Sequence, residues 1–247
     1  MRKWPRPPDV PPTSVKRRLS IRARISDLRY LESVTLSGID ALPLHSRTPV
    51  EWARAVLADP ISLLIDHAFL EKKAANNAME LMTRWPGDFL EGWVETMTSV
   101  ARDEAAHLAQ VVRLLGQRGG RLERIHKNPY ANGLRLLVRK GQFPGEILDR
   151  LFVSALIEAR SCERFAVLAV ASEDQELASF YKALYSSELG HYKVFLKLAH
   201  KIAAKDVVEA RWQQMLASEA RILGEQEPGP RIHSGAIESG KTPCPSH

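Results

Sequence analysis

The chain has 247 residues, 45% of them hydrophobic, and carries a formal net charge of +6. A chain of this length can bury a large core, while its two cysteines fit neither a disulfide framework nor the spacing of a zinc site. No apolar run is long enough to span a membrane and no signal peptide follows Met1, so we expect a cytoplasmic protein without a membrane partner.

The positive charge is concentrated in two segments. Residues 1–24 hold eight Lys and Arg against one Asp, and residues 113–140 hold eight against one Glu. Such patches on an otherwise acidic chain indicate a polyanionic partner, for which RNA, DNA and anionic lipid all qualify. A solvated surface is the alternative explanation for either segment taken alone.

Proline and glycine divide the chain into three parts. The sequence predicts a basic, Pro-rich and partly disordered arm over residues 1–45, a helical domain over 46–224 and a Pro/Gly-rich tail over 225–247. Strands are not expected in the domain, because its apolar residues recur with helical spacing.

Capping signals place the predicted helices. Thr48 and Asp59 each precede a proline, while Asp88 and Ser172 each open a long apolar stripe. We expect a short helix after Thr48, a short piece near 130–140, and longer helices over 60–84, 88–117, 144–171, 173–203 and 206–223.

The motif Glu-x-x-His occurs twice, as Glu104 to His107 and as Glu188 to His191. Residues three apart on an α-helix share a face, so each copy presents a carboxylate and an imidazole on the same side. A single copy would be weak evidence, and surface pairs on wrongly phased helices are the alternative explanation.

Two further glutamates lie in apolar stripes, 33 and 30 residues before the two motifs. Four inward carboxylates must be neutralised by protons, cationic partners or metal, and two divalent irons balance their charge. Mixed oxygen and imidazole ligands suit iron or manganese better than structural zinc. The repeat predicts two helical hairpins that form a four-helix bundle around a di-iron carboxylate site. The predicted ligands are Glu71, Glu104, His107, Glu158, Glu188 and His191.

Other residues near these positions have alternative roles. Glu163 is the main rival to Glu158, but five residues further on it points about 140° away. His67 lies one turn before Glu71, and we expect it to pack behind the ligands rather than to bind metal. Asp103 is expected either to accept a hydrogen bond from a metal-bound imidazole or to face solvent.

Five stretches around these ligands resemble one family of bacterial enzymes. They are residues 66–75, 103–107, 126–130, 158–165 and 188–191. Across roughly residues 50–205 the sequence resembles the tRNA 2-methylthio-N6-isopentenyladenosine hydroxylases (MiaE). The flanking segments point to this family, since Glu-x-x-His pairs are common to all ferritin-like di-iron proteins.

The resemblance implies an all-α, ferritin-like four-helix bundle with extra flanking helices. It also implies two iron ions bridged by Glu104 and Glu188, and O2-dependent hydroxylation of the isopentenyl side chain on the modified adenosine next to the tRNA anticodon. An external two-electron donor is required, so an electron-transfer partner is expected besides tRNA. No catalytic acid or base is implied beyond the metal ligands. Ala106 departs from the wider di-iron oxygenase pattern, where an arginine often precedes the histidine.

The basic crossover is the predicted tRNA-binding surface. Tyr130 could stack on a base there, with simple packing as the alternative. The N-terminal arm would add nonspecific RNA affinity. The predicted contacts are Arg121, Arg124, Lys127, Tyr130, Arg135, Arg139 and Lys140.

Two other classes of protein stay open at this point. A ferritin-like protein for iron storage or peroxide scavenging would use the same ligands, but the basic surface would then lack a purpose. A metal-free helical RNA-binding protein would carry the glutamates on its surface.

Overall fold

The computed structural model describes residues 39–85 and 90–236. Within these ranges the chain forms seven helices and no strand, as predicted. In chain order they are α1 (Val50–Leu57), α2 (Pro60–Met82), α3 (Trp93–Gln117), α4 (Pro129–Arg135), α5 (Gly145–Ala171), α6 (Gln175–Ile202) and α7 (Lys205–Gly224). None of the described helices has the length and apolarity needed to cross a membrane.

Aspartates cap two of the long helices. Asp59 accepts a hydrogen bond from the backbone N–H three residues on at 3.0 Å, which confirms the predicted cap of α2. At the start of α6, Asp174 accepts two backbone N–H groups at 2.9 and 3.2 Å, so the cap is not the predicted Ser172. Both N–H groups donate to the same oxygen, Asp174 Oδ1, which satisfies two of the free N–H groups at the start of the helix.

The predicted cap at Thr48 is wrong. Helix α1 begins at Val50 after Pro49 and has no side-chain cap. Instead, the backbone N–H and hydroxyl of Thr48 donate to the two carboxylate oxygens of Glu163 at 2.6 and 2.7 Å. The hydroxyl that was expected to accept an N–H of α1 thus donates to a carboxylate on α5, which fixes the loop before α1 to the bundle. The predicted cap at Asp88 lies outside the described residues.

The four long helices form the predicted bundle of two hairpins. Helix α2 packs along α3, α5 packs along α6, and α3 contacts α6 between the hairpins. The three shorter or flanking helices cover the outside: α1 lies on α2 and α5, while α4 and α7 pack on each other and on α5.

Buried apolar side chains close both ends of the bundle interior. On α3, the ligand positions fall between Ala101 in one apolar cluster and Val111 in the other. On α6 they fall between Leu184 and Phe195, again one from each cluster. The predicted ligands therefore occupy a polar layer in mid-bundle with an apolar plug above and below.

Residues after α7 pack onto the bundle. Ile232 is fully buried, and its backbone N–H donates to Asp66 Oδ2 at 2.8 Å. The Arg164 guanidinium donates to the Ile232 carbonyl oxygen, and the Trp52 indole N–H donates to Ser234 Oγ at 3.0 Å. The described part of the predicted tail is thus held by hydrogen bonds to α1, α2 and α5, while residues 237–247 lie outside the described ranges.

Candidate metal centre

The structure brings all six predicted ligands together in the middle of the bundle. Their exposed fractions lie between 1 and 7%. Because none of the four glutamates lies on the surface, the metal-free alternative loses its premise. Each of the four long helices contributes: Glu71 from α2, Glu104 and His107 from α3, Glu158 from α5, and Glu188 and His191 from α6.

The ligand atoms form two overlapping groups. Within each group, the atoms all lie within 4.8 Å of one another. One group is Glu71, Glu104, His107 and Glu188; the other is Glu104, Glu158, Glu188 and His191. Two carboxylates belong to both groups, which is the arrangement that a pair of metal ions bridged by Glu104 and Glu188 requires.

The imidazoles point into this cluster without ordinary hydrogen bonds. His107 Nδ1 lies 3.4 Å from both Glu104 Oε2 and Glu188 Oε1, and His191 Nδ1 lies 2.7 Å from Glu104 Oε1. Neither nitrogen, and neither oxygen of Glu188, has a hydrogen bond of acceptable geometry, although all are buried. Buried polar atoms without partners cost free energy, and cations between them would satisfy them. The donor set therefore fits two metal ions.

Several side chains of the cluster have raised pKa values, which favour bound protons. Burial, followed by the charge of Glu188, raises the pKa of Glu104 to about 8. Burial lowers the pKa of His107, but the three carboxylates next to it outweigh burial and raise the pKa to about 12. Burial also lowers the pKa of His191, but the neighbouring Glu104 and Glu188 outweigh it and raise the pKa to about 10. Metal ions would replace these protons as the neutralising charge.

His67 supports one ligand from behind. Its Nε2 lies 2.6 Å from Glu71 Oε1, and its ring packs among Phe165, Phe180 and Tyr181. Burial lowers the pKa of His67 to about 4, so the ring is neutral and donates its Nε2–H to Glu71. This contact orients the carboxylate toward the cluster.

The other two residues with open roles lie apart from the ligand groups. Glu163 pairs with Arg160 at 2.6 Å and accepts both donors of Thr48, so it belongs to a separate buried network. Asp103 Oδ2 lies 3.7 Å from His191 Nε2, too far for a hydrogen bond, and its side chain is 38% exposed.

Three cavities that share lining residues form a route from the surface to the cluster. A basin of about 460 Å³ opens between α2, the α4–α5 region and α5. A narrower neck adjoins it and reaches Glu158, with mostly apolar walls that include Leu70, Ala74 and Ile157. The same three residues, with Glu158, line the innermost cavity, where the carboxylates of Glu71, Glu104 and Glu188 are also found.

Cations surround the outer basin. Its lining includes Lys73, Arg135, Lys140 and Arg150 against one acidic residue, Glu80. Two of these four, Arg135 and Lys140, belong to the predicted tRNA contacts. The predicted contacts Arg121, Arg124 and Lys127 are exposed on the loop before α4.

Two of the predicted tRNA contacts are engaged within the protein. Tyr130 is fully buried and its hydroxyl donates to Glu219 at 3.0 Å, so no base can stack on its ring in this structure. Arg139 donates from Nε and Nη2 to Asp149 at 2.8 and 2.9 Å. The alternative of simple packing therefore describes Tyr130, and the charge of Arg139 is neutralised by its partner.

Lys73 is not among the sequence-predicted site residues, because it lies outside the apolar stripe of α2 that contains Glu71. Leu70, Lys73, Ala74 and Asn77 recur with helical spacing and form a mixed stripe on α2. That stripe lines the neck, whereas Glu71 lies on the face beside it. The sequence signal that indicates this lining is a helical stripe that changes from apolar to basic residues.

Comparison with known proteins identifies the family. A family model described as tRNA-(MS[2]IO[6]A)-hydroxylase (MiaE) matches residues 35–234. The chain belongs to the MiaE family. A MiaE-family relative from Pseudomonas putida, named tRNA 2-(methylsulfanyl)-N(6)-isopentenyladenosine(37) hydroxylase, is 41% identical over 197 residues, which cover 80% of this chain and 94% of the relative. A relative of the same name from Salmonella typhimurium is 30% identical over 245 residues, with 80% and 89% coverage.

A solved structure shares the MiaE-family fold. It is described as "Protein 43 with aldehyde deformylating oxygenase activity from Synechococcus", and it superposes with a TM-score of 0.73 at 33% identity. The match covers 80% of this chain and 98% of that one. The predicted ferritin-like four-helix bundle with flanking helices is confirmed.

Proposed function

We propose that this protein is a di-iron monooxygenase that hydroxylates the isopentenyl side chain of 2-methylthio-N6-isopentenyladenosine next to the tRNA anticodon. The observation that carries the proposal is the route from a cation-lined basin, through an apolar neck, to a buried carboxylate and histidine cluster. The names of both MiaE-family relatives support the same substrate.

The residues of the cluster would hold two irons. Glu71 and His107 belong to one ligand group, Glu158 and His191 to the other, and Glu104 and Glu188, which belong to both, would help to hold either ion. When bound, the irons would supply activation of O2 with two electrons from an external donor. The ligands and His67 would hold this geometry, and no other side chain is assigned as acid or base.

The neck suits a short prenyl chain. Leu70, Ala74 and Ile157 present apolar surface immediately outside the carboxylates. An isopentenyl group that enters there would exclude water from the cluster, and its end would lie nearest the metal ligands. Exclusion of water also protects a reactive site from side reactions.

The basic surface around the basin would bind the tRNA backbone. Its contacts in this proposal are Arg121, Arg124, Lys127, Arg135 and Lys140, while Arg139 and Tyr130 act inside the fold. Positive side chains of this kind bind phosphates without reading sequence, so selection of the nucleoside depends on the neck. An electron-transfer partner is part of the same proposal.

The decisive experiment is mass spectrometry of hypomodified tRNA. The iron-loaded, reduced protein is incubated with prenylated tRNA and O2, and we expect the prenylated nucleoside to gain one oxygen atom. Glu104→Ala should abolish the gain, whereas Glu95→Gln, an exposed glutamate on the same helix, should not. An iron-loaded protein that oxidises iron equally fast with and without tRNA, and leaves the nucleoside unchanged, would support iron storage or peroxide scavenging instead.

A further inference from the structure

The route to the cluster has a waist where the basin meets the neck. Four side chains line both cavities, namely Lys73, Asn77, Arg135 and Val153. Two of these are cations, and they come from different elements, α2 and α4. Both cations therefore line the passage from the basin toward Glu158.

Neither cation is neutralised by the protein. Within residues 39–85 and 90–236, Lys73 and Arg135 pair with no carboxylate. Arg150 in the same basin differs, because it pairs with Glu146 at 2.9 Å and lies 3.6 Å from Glu80. Two unpaired cations that repel each other are stabilised by an anion between them.

A chain of hydrogen bonds fixes the position of the Lys73 ammonium. Its Nζ lies 2.8 Å from His126 Nδ1, and His126 Nε2 lies 2.6 Å from Asp66 Oδ1. The other oxygen of Asp66 accepts the Ile232 N–H at 2.8 Å. The imidazole also stacks on Phe69 with 4.8 Å between ring centroids and an interplanar angle of 4°.

These contacts determine which atom donates and which accepts in each hydrogen bond. Because Asp66 accepts from His126 Nε2–H, the Nδ1 atom is the acceptor for the Lys73 ammonium. One of the three N–H groups of Lys73 is thereby engaged, and two are left for a ligand in the waist. A long flexible lysine held in this way loses less entropy when it binds an anion.

We propose that Lys73 and Arg135 form a phosphate-binding site at the waist, and that His126 and Asp66 are positioning residues for Lys73. The proposal rests on the proposed function, since the ligand would be a phosphodiester group adjoining the modified adenosine. The phosphate stays at the waist while the base and its prenyl chain extend through the neck. Arginine and lysine together suit phosphate, because the guanidinium binds two oxygens and the ammonium a third.

The test uses anticodon stem-loop RNA that carries the prenylated adenosine. Hydroxylation is followed by mass spectrometry with Lys73→Met and with Lys72→Met, an exposed neighbour that lines none of the three cavities. We expect Lys73→Met to lower kcat/KM roughly ten- to a hundredfold, mainly through KM, because a charged hydrogen bond is lost. Lys73→Arg should restore kcat/KM to within about threefold of the wild type, since the charge is kept. Iron content should be unchanged in all three.

A neutral linkage in the RNA identifies the ligand. A methylphosphonate is placed on the 5′ side and then on the 3′ side of the modified adenosine, which removes one negative charge at a time. With the neutral linkage at one of these two positions, the kcat/KM values of wild type and Lys73→Met should agree within about threefold. If the difference between them persists with both RNAs, the phosphate site is wrong.

The positioning role is tested separately by His126→Phe, which keeps a ring for Phe69 but removes the acceptor. It should lower kcat/KM in the wild type and have no further effect in Lys73→Met. An additional loss in the double variant would contradict the positioning role. A wild-type protein that yields no hydroxylated RNA overturns the proposed function, whereas an active wild type with Lys73→Met equal to Lys72→Met overturns only the phosphate site.

Discussion

The Nε2 atom of His67 lies 2.6 Å from Oε1 of Glu71, with both side chains buried. A neutral imidazole in this position donates to the carboxylate without adding a positive charge beside the metal ions. Residues that hydrogen-bond to a metal ligand orient that ligand, and their substitution typically lowers metal affinity ten- to a hundredfold.

Replacement of His67 by phenylalanine tests this contact. The variant keeps an aromatic ring next to Phe165 and Phe180 but removes the donor to Glu71. We expect iron affinity to fall roughly tenfold or more, measured by anaerobic titration with ferrous iron. Phe180→Leu is the matched control, because it changes the packing of the same ring and keeps the hydrogen bond. Equal iron affinity for His67→Phe and wild type would contradict the supporting role.

Substitution of Glu158 should have opposite effects on metal binding and on the stability of the metal-free protein. Burial, followed by the charges of Glu188 and Glu104, raises the pKa of Glu158 well above its usual value. Folding of the metal-free Glu158→Gln protein no longer requires this carboxyl to take up a proton, so the metal-free protein should melt a few degrees higher. Iron stoichiometry should fall below two per chain, because one ligand is lost. Calorimetry and iron analysis of the same samples check both parts, and exposed Glu95→Gln should change neither.

Arg135 and Arg139 lie close in sequence but should respond differently to charge reversal. Arg135 lines the waist of the route, whereas Arg139 pairs with buried Asp149. Arg135→Glu should weaken tRNA binding and reduce its salt dependence by about one phosphate contact, with iron content unchanged. Arg139→Glu should instead lower Tm by roughly 5–10 °C, since it places a carboxylate beside a buried one. Filter binding at several salt concentrations and calorimetry separate the two, and a Tm for Arg139→Glu equal to that of wild type would contradict the assignment.

Asp149 should make the fold sensitive to acid. Burial alone would raise its pKa, but hydrogen bonds from Arg139 and Arg211 outweigh burial and lower the pKa below the ordinary value of 3.8. A lowered folded-state pKa contributes stability above the unfolded value, and this contribution is lost as the pH falls through the folded value. Asp149→Asn should therefore lower the free energy of unfolding by roughly 2–3 kcal/mol at pH 7. The loss is smaller than for a fully buried ion pair, because both guanidinium groups are partly exposed.

The difference in the free energy of unfolding between wild type and Asp149→Asn should shrink as the pH falls from about 4, where the carboxyl of the unfolded chain takes up a proton, through the lower folded-state value. Urea unfolding at pH 7, 5 and 3 measures it. A difference that stays constant across this series would show that the aspartate acts through packing rather than through charge.

Helical periodicity was sufficient to predict the ligand positions. Glu104 and His107 share a face because of the local geometry of one helix, and inward position follows from the apolar residues on the same stripe. The cap at Asp59 is equally local, since its carboxylate reaches an N–H three residues on. Fold class and the grouping of six side chains could thus be predicted before any coordinates were known.

Partners far apart in sequence were decided only by the tertiary structure. The backbone N–H and hydroxyl of Thr48 donate to Glu163, 115 residues away, and the side chain does not cap the helix that follows. Tyr130 is buried against Glu219, and Lys73 is fixed by His126 and lines the waist of the route. Periodicity assigns a face to each side chain, but it does not say which distant element covers that face. The sequence alone therefore determined the helices and the inward positions of the six predicted ligands. Helix packing determined the cavity and its charge, because these depend on distances between separate helices.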